Sequence, residues 1–257
     1  MTLVWKSGYS FDSDASTYID AVETADGQAL ETGVRVAIND FVLGCKQDDI
    51  WNAIKASCIL AGARTLDGAL VPLTGGSPTN FNFVSADYDR KTGLVGDGST
   101  KFLDSGRAGN ADPQDSVHFC VYKSSGTTTG TMIGSVLNNF NPSTFNLIGY
   151  DNTSNSFRFA CRGGLSSVSG AATAIGFFGV GRSLSATYTR RFLSSSSSVT
   201  STSTAASDRN FFVFNQSGNN NYDASRLAFY SIGESLDLAL LDTRVSNLMT
   251  AIGAAIP

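Results

Sequence analysis

The stretch RLAFYSIGESLDLALLDTRVSNLMTAIG, residues Arg226–Gly253, decides the fold because a strand pattern changes into a helix pattern within it. Residues 227–232 alternate with the two-residue period of a β-strand whose faces are both largely covered. From residue 241 onward, apolar side chains recur at helical spacing: Leu241, Val245, Leu248 and Ile252. The sequence therefore predicts a last core strand that leads directly into a closing helix.

Two residues mark the ends of this predicted helix. Asp237 lies where a carboxylate caps the first turn and complements the helix dipole. Gly253 is placed to end the helix in the left-handed conformation. Upstream residues are then expected to form the sheet that this strand completes.

The composition limits the classes of function. Apolar residues make up 42% of the 257 residues, and charged residues only 16%, so Ser, Thr, Asn and Gly must supply most of the polar surface. A net charge of −4 argues against a nucleic-acid groove or a surface for anionic membranes, which need clustered Lys and Arg. There is no run of 18 apolar residues and no pattern of a secretion signal at the start, so neither a membrane span nor secretion by that route is expected.

The N-terminal region divides into an arm and a helical segment. Residues 1–15 predict an arm whose aromatic anchors, Trp5, Tyr9 and Phe11, add a strand to the sheet or make assembly contacts with neighbouring subunits. Residues 16–62 predict a helical hairpin, with Asp48 capping its short second helix. Its apolar stripe either packs on the sheet or docks into a larger assembly.

Residues 63–257 are rich in β-formers separated by turn residues, as expected for a sandwich or barrel. Asp97-Gly98 predicts a hairpin, and residues 151–155 predict a turn between two strands. The low-complexity stretch 194–207 allows an extended hairpin or a wide loop. The predicted strands lie at residues 81–84, 93–95, 100–103, 117–123, 132–136, 145–150, 157–162, 174–179, 185–192, 210–215 and 227–232.

Four segments carry a resemblance to known families. GLVGDGSTKFLDSG (93–106), SVHFCVYKSS (116–125) and the stretch from Arg226 to Ile252 resemble the concanavalin A-like, laminin-G-like jelly rolls. The segment INDFVLGCKQDDIWNAIKASCILAGARTLDGALVPL (38–73) is similar to one found in structural proteins of tailed bacteriophages. Together the resemblance covers residues 30–253. It implies a mainly β fold, a concanavalin A-like antiparallel β-sandwich with an N-terminal helical hairpin and a C-terminal closing helix.

The carboxylates do not form a recognisable hydrolase pattern. Glycosidic cleavage needs two carboxylates across the scissile bond, and the chain has only three glutamates, Glu23, Glu31 and Glu234. The E-x-D-x-x-E strand motif of laminarinase-like enzymes is absent. The single histidine, His118, lies within a predicted strand and is interpreted as a satisfied or solvent-facing side chain. The sequence therefore predicts no catalytic residues and no enzymatic activity.

Metal binding and disulfide formation are also disfavoured. The four cysteines, Cys45, Cys58, Cys120 and Cys161, are widely spaced and predict buried free thiols, with a Cys45–Cys58 disulfide as the alternative. Neither a metal nor any other cofactor is predicted. A calcium ion held by turn aspartates is the weaker alternative, and the aspartates concerned are Asp87, Asp89, Asp97 and Asp104.

The loop FNQSGNNNYDASR, residues 214–226, carries the remaining functional signal. Sugars are often bound by an aromatic face together with amide and carboxylate groups, whereas Asn and Gly are also common in tight turns. The glycan-binding candidates are Asn215, Asn219, Asn220, Asn221, Tyr222 and Asp223.

These observations predict a non-catalytic structural protein of a phage virion, assembled in the host cytoplasm. Its partners would be other virion proteins and further copies of itself in a homo-oligomer, with no nucleic acid and no membrane insertion. At a tail fibre or baseplate, it would bind host-surface glycans in the manner of a lectin. The alternatives are a capsid decoration protein and, third, a glycan-degrading enzyme.

Overall fold

The computed structural model describes residues 10–136, 145–217 and 220–257. Two β-sheets pack face to face, and helices cover the outer surface of one of them. The helices are α1 (Ser13–Asp26), α2 (Thr32–Gln47), the short α3 (Leu66–Ala69) and α4 (Leu238–Ala255). The predicted fold class is confirmed: the chain is mainly β, an antiparallel sandwich with N-terminal helices and a C-terminal helix.

Eight strands form sheet A within the described residues. In spatial order they are β13 (Ser195–Thr200), β12 (Thr187–Phe192), β11 (Gly176–Arg182), β6 (Val117–Ser125), β16 (Arg226–Gly233), β4 (Gly93–Val95) and β3 (Tyr88–Asp89), with β1 (Ile54–Ile59) also paired to β16. Strand β16 is central, since β6 pairs with one edge while β1 and β4 share the other.

Sheet B also has eight strands within the described residues. They are β10 (Ser166–Ser169), β9 (Ser156–Gly163), β8 (Phe145–Asp151), β7 (Thr131–Ser135), β14 (Asn210–Val213), β5 (Phe102–Ala108) and β2 (Thr79–Phe81), with β15 (Gln216–Ser217) paired to β7. The two-residue pairing of β15 with β7 is parallel, and the other pairings are antiparallel.

Two hydrophobic cores hold these layers together. The inner core lies between the sheets and includes Phe119, Phe159 and Tyr230. The outer core lies between sheet A and the helices, where the rings of Phe41 in α2 and Phe229 in β16 meet edge to face at 5.7 Å between centroids. Because β16 contributes to both cores, its two faces are buried, as the period-two pattern predicts.

The predicted transition from strand to helix is confirmed, but the predicted end of the helix is not. The Asp237 carboxylate caps α4 by accepting hydrogen bonds from the backbone N–H groups of Ala239 and Leu240. The prediction that Gly253 stops the helix is wrong, because α4 continues to Ala255. The left-handed glycine cap is found instead at Gly27, which follows α1 with a φ of 64°.

The helical segment differs from its prediction at both ends. Helix α1 begins at Ser13, inside the predicted arm, because the Asp12 side chain caps it by accepting from the Asp14 N–H. Asp48 does not cap a second helix, since residues 51–53 form a single 3-10 turn. The Asp48 carboxylate instead accepts two hydrogen bonds from Arg244 of α4, at 2.7 and 2.9 Å. Residues 54–59, predicted within the helical segment, form a strand of sheet A.

One of the two predicted turns is confirmed and the other is wrong. Residues 151–155 connect the hairpin of β8 and β9, with Asn155 at a φ of 47°. Asp97-Gly98 is not a hairpin turn, because the strand before it lies in sheet A and the strand after it in sheet B. The low-complexity stretch 194–207 contains β13, which forms an extended hairpin with β12.

The four cysteines are buried free thiols, and Cys45 and Cys58 are not joined by a disulfide. Among the described residues, no helix combines the length and apolar character needed to cross a bilayer.

Candidate ligand-binding surface

The predicted glycan loop is held mainly by hydrogen bonds within the protein. Asn215 is buried, and its Oδ1 accepts from the Asn221 N–H at 3.0 Å. The Asn221 amide in turn donates to the Thr131 hydroxyl at 2.9 Å. These two side chains therefore shape the loop. Asn220 is exposed, whereas Asn219 lies outside the described residues.

Asp223 also faces inward. Its side chain is fully buried and accepts hydrogen bonds from the Thr129 N–H, at 2.9 Å, and from the Ser225 hydroxyl. Burial raises the pKa of this carboxyl, while the bonds from Ser225 and the backbone oppose that shift. Asp223 therefore anchors the loop to the segment before β7 and does not face a ligand in solution.

Tyr222 is the loop residue that joins a larger surface feature. Its ring lies 6.1 Å from that of Phe102, measured between centroids. Phe102 stacks on Phe81 at 4.3 Å, with the two planes 4° apart, and meets Phe212 at 4.7 Å. We call Phe81, Phe102, Phe212 and Tyr222 the aromatic patch.

Strand alternation places the patch on the outer face of sheet B. In β5 and β14, Leu103 and Phe211 belong to the inner core, so strand alternation directs Phe102 and Phe212 to the other face, although Phe102 also packs against the inner core. The register pairs Phe81 directly with Phe102, which explains their stacking. Phe81 is 39% exposed, and the other three rings are half-buried. The aromatic patch is therefore the candidate ligand-binding surface of this sheet.

Polar groups border the aromatic rings. Asp104 pairs across the strands with both Phe212 and Thr79, and its carboxylate accepts from the Asn210 amide at 3.3 Å. On the other side of Phe212, its cross-strand neighbour is Gly134, and the space where a side chain of Gly134 would lie is taken by neighbouring atoms that include Gln216 Cβ. The patch thus combines flat apolar faces with a nearby acceptor, which suits a ligand that has both C–H faces and hydroxyl groups.

Sequence reasoning selected Tyr222 but missed the three phenylalanines. Phe102 and Phe212 alternate with the core residues Leu103 and Phe211, and that alternation was the signal available for these two. Phe81 gave no such signal, because its strand β2 is exposed throughout and the buried Phe83 lies two residues further on. What the sequence did not contain was the register that brings the three strands side by side.

A concave feature lies where α4 begins. A cleft of about 530 Å³ opens between the start of this helix and the outer face of β11, β12 and β13. Hydroxyl side chains contribute to its lining: Ser183, Thr189, Ser196 and Ser235. The first free N–H groups of α4 are already used by Asp237, so the helix start has no open amide pair for an anion.

His118 lies close to this cleft but is completely buried. Its Nδ1–H donates to the Glu234 carbonyl, so Nε2 accepts from the Ser231 hydroxyl at 2.8 Å. Burial lowers the pKa of His118 to about 4. Of the two predicted alternatives, a satisfied or a solvent-facing side chain, His118 is the satisfied one, and it is neutral at pH 7.

The three glutamates lie apart, each beside a cation. Glu23 binds Arg35, Glu31 binds Arg90 and Arg64, and the half-exposed Glu234 lies 3.1 Å from Lys55.

The turn aspartates are occupied locally. Asp89 and Asp97 each accept several hydrogen bonds from the backbone of the next few residues, and Asp87 pairs with Lys101. Asp104 accepts from the Gly106 N–H. Over residues 10–136, 145–217 and 220–257, no three His, Cys, Asp or Glu residues lie together in a possible metal site.

The predicted assembly contacts fall mostly at the start of the chain. Trp5 and Tyr9 lie outside the described residues. Phe11 is half-buried and packs against the outer core, so this member of the arm contacts its own subunit.

Neither a protein-family model nor a curated protein sequence matches this chain. A GH54 α-L-arabinofuranosidase structure is similar with a TM-score of 0.43 and 10% identity, over 63% of this chain and 41% of that chain. An arabinofuranosidase complexed with arabinofuranosyl-α-1,2-xylobiose is similar with a TM-score of 0.43 and 11% identity, over 79% of this chain and 43% of that chain. A third similar structure is domain 4 of AbnA, a GH43 extracellular arabinanase from Geobacillus stearothermophilus, in complex with arabinotriose. Its TM-score is 0.38 and its identity 11%, over 66% of this chain and 82% of that chain.

These comparisons correct one prediction. The sequence predicted no enzymatic activity, but the similar solved structures belong to glycoside hydrolases, so that exclusion does not stand. This chain spans less than half the length of the two arabinofuranosidases. A likeness with TM-scores from 0.38 to 0.43 assigns neither a substrate nor a mechanism to this chain.

Proposed function

We propose that this chain is a structural protein of a tailed-phage particle that binds carbohydrate on the host surface through the aromatic patch. The observation that carries the proposal is the cluster of four aromatic rings on sheet B, in which Phe81, Phe212 and Tyr222 surround Phe102 and Phe81 is 39% exposed. The ring of Tyr222, the aromatic residue of the predicted glycan loop, belongs to this cluster.

The chemistry of the patch fits a sugar ring. The C–H face of a pyranose or furanose packs on an aromatic face, while its hydroxyl groups need acceptors and donors at the edge. Asp104 and the Asn210 amide lie at that edge. Phe81 and Phe102 are parallel, whereas the rings of Phe212 and Tyr222 are tilted by 34° and 58° from Phe102, so the cluster offers ring faces in more than one orientation.

Two sequence features support placement in a phage particle. The segment 38–73 is similar to one in phage structural proteins, and the weakly charged Ser, Thr and Asn surface suits a protein exposed in a dense assembly. In this proposal the particle is assembled in the host cytoplasm, and several copies act together.

The test of binding is retention on immobilised host-surface polysaccharide, followed by glycan arrays to define the sugar. We expect Phe81→Ala and Tyr222→Ala each to reduce retention by about tenfold, since stacking on one ring contributes about 1–1.5 kcal/mol. The matched control is Ile175→Ala, which removes an apolar side chain that is 58% exposed outside the patch. Full retention of both patch variants, or equal losses in the control, would refute this binding surface.

The test of placement is antibody-gold labelling of intact particles from a lysate. Label on the tail tip or fibres supports the proposal. Label over the head would support a capsid decoration protein in its place, and unlabelled particles would exclude a virion protein.

A further inference from the structure

Strand β13 leaves one edge of sheet A open. It is the outermost strand of the sheet, and within the described residues only β12 pairs with it. Its six residues read Ser-Ser-Ser-Ser-Val-Thr, and four of them are exposed: Ser195, Ser196, Ser198 and Thr200.

The hairpin turn determines which backbone groups face outward. Phe192 and Ser195 pair directly across a two-residue turn in which Leu193 has a φ of 53°, so they form a hydrogen-bonded pair. Hydrogen-bonded and non-hydrogen-bonded pairs alternate along an antiparallel ladder. The N–H and C=O groups of Ser196, Ser198 and Thr200 therefore point away from β12, toward the open side.

This edge lacks the usual protection against pairing. Natural sheets protect their edges with charged side chains, proline, bulges or very short strands. The other edge strand of sheet A, β3, has only two residues and includes Asp89. In sheet B, the edge strand β10 is contacted by a charged side chain, because the Ser167 carbonyl accepts a hydrogen bond from Arg190 at 3.0 Å. Strand β13 has no charge and no proline, and its register with β12 is unbroken over six residues. Arg191 of β12 does reach β13, but it donates to the Ser196 hydroxyl and not to an outward backbone group.

We propose that β13 is a homotypic interface, at which it pairs antiparallel with β13 of a second copy of this chain. A two-fold axis at Ser198 pairs Ser198 with its counterpart and Ser196 with Thr200 of the other copy. This register uses all the outward groups and forms about six backbone hydrogen bonds. A second copy fits because an uncharged strand meets itself without like-charge repulsion, and an antiparallel pair satisfies two-fold symmetry.

The interface is independent of the proposed carbohydrate binding. Strands β13 and β10 lie on the same side of the sandwich, since Tyr188 of β12 bonds to Ser166 of β10 at 2.9 Å. Strands β2, β5 and β14, which carry the patch phenylalanines, lie toward the opposite edge of sheet B. Pairing through β13 thus leaves both aromatic patches open.

The test is sedimentation equilibrium of the full chain over a range of concentrations. We expect a monomer–dimer equilibrium whose dissociation constant rises at least about tenfold in Ser198→Pro and in Ser198→Lys. Proline removes an outward N–H without touching the ladder to β12, and lysine places two charges at the axis. The control is Ser77→Lys, an exposed site beyond β13 with the same change of charge. Circular dichroism checks that each variant is folded.

A crosslinking experiment tests the register. Ser198→Cys is expected to form a covalent dimer under mild oxidation, because this residue faces itself across the axis, whereas Ser77→Cys stays monomeric. A wild-type chain that is monomeric at every concentration would overturn the proposal. So would a dimer that both Ser198 substitutions leave unchanged, or a folded Ser198→Cys variant that fails to crosslink.

Discussion

Arg191 of β12 donates a hydrogen bond from Nε to the Asp242 carboxylate of α4 at 2.7 Å, and each side chain is only about a tenth exposed (10% and 11%). The second carboxylate oxygen accepts from the Ser246 hydroxyl at 3.0 Å. This ion pair joins the closing helix to a strand three positions away from β16 in sheet A. It fixes α4 across the sheet.

We expect Asp242→Asn to lower the free energy of unfolding by about 2 kcal/mol, because it leaves a largely buried guanidinium without its counter-charge. Urea denaturation measures the change. Asp20→Asn, at an exposed position of α1, is the control and is expected to have an effect within about 0.5 kcal/mol. The double variant Arg191→Met with Asp242→Leu should recover most of the loss. The single variants Arg191→Met and Asp242→Leu complete the comparison, and a double variant as unstable as the sum of these two would contradict this explanation.

His118 makes stability depend on pH. Its pKa falls from 6.5 to about 4 on folding because burial disfavours the imidazolium. Between these values the unfolded chain binds a proton that the folded chain does not. Stability from this group is therefore complete above pH 6.5 and decreases as the pH falls toward 4, by about 3 kcal/mol. Urea midpoints measured from pH 7 to pH 4.5 should fall less steeply for His118→Gln than for the wild type. Parallel curves would show that another group is responsible.

Two glycines at helix ends predict opposite effects of the same substitution. Gly27 has a φ of 64°, so Gly27→Ala should lower the free energy of unfolding by about 1 kcal/mol. Gly253 lies inside α4, and Gly253→Ala should raise it by about 0.5–1 kcal/mol. An added methyl group would meet no heavy atom within 4 Å at either site, so a change in stability would reflect backbone conformation and not packing. Thermal unfolding tests both, and destabilisation by Gly253→Ala would mean that this residue ends the helix after all.

The cysteines should be inert in the folded protein. Burial raises the pKa of Cys45, Cys58 and Cys161 to about 12, and that of Cys120 also rises. Thiolates are the reactive form, so we expect an aromatic disulfide reagent at pH 8 to label none of them. Denaturant should expose all four. Fast labelling of one thiol in the native protein would identify a locally open region.

Local patterns predicted the elements whose cause is local. The alternation of residues 227–232, the helical spacing from Leu241 and the Asp237 cap were all readable because each depends on neighbouring residues. The β8–β9 turn was readable for the same reason. By contrast, strand β1 directly follows a helix and its 3-10 turn, and it is a strand because it pairs with β16. Cys58 and Tyr230, which meet in this pairing, are 172 residues apart.

The candidate site was only partly predictable. Tyr222 was selected for its polar neighbours, yet two of them, Asn215 and Asp223, turned out to be buried supports of the loop. Whether an asparagine faces solvent or a backbone amide depends on where the segment before β7 passes, and no spacing within the loop encodes that. The stacking of Phe81 on Phe102 depends on a strand register fixed by the whole sheet.

The central position of β16 has a consequence for how the protein forms during synthesis. Strands β1, β4 and β6 all pair with residues 226–233, so sheet A is continuous only after these residues have been synthesised. The outer core is complete only when α4 packs on the sheet. Contacts of such long sequence separation make folding slow, and unpaired strand edges favour aggregation meanwhile. We expect the nascent chain to stay incompletely folded on the ribosome until residue 255 has emerged. Translation that stops before β16 would then yield a substrate for chaperones and proteases rather than a smaller working sandwich.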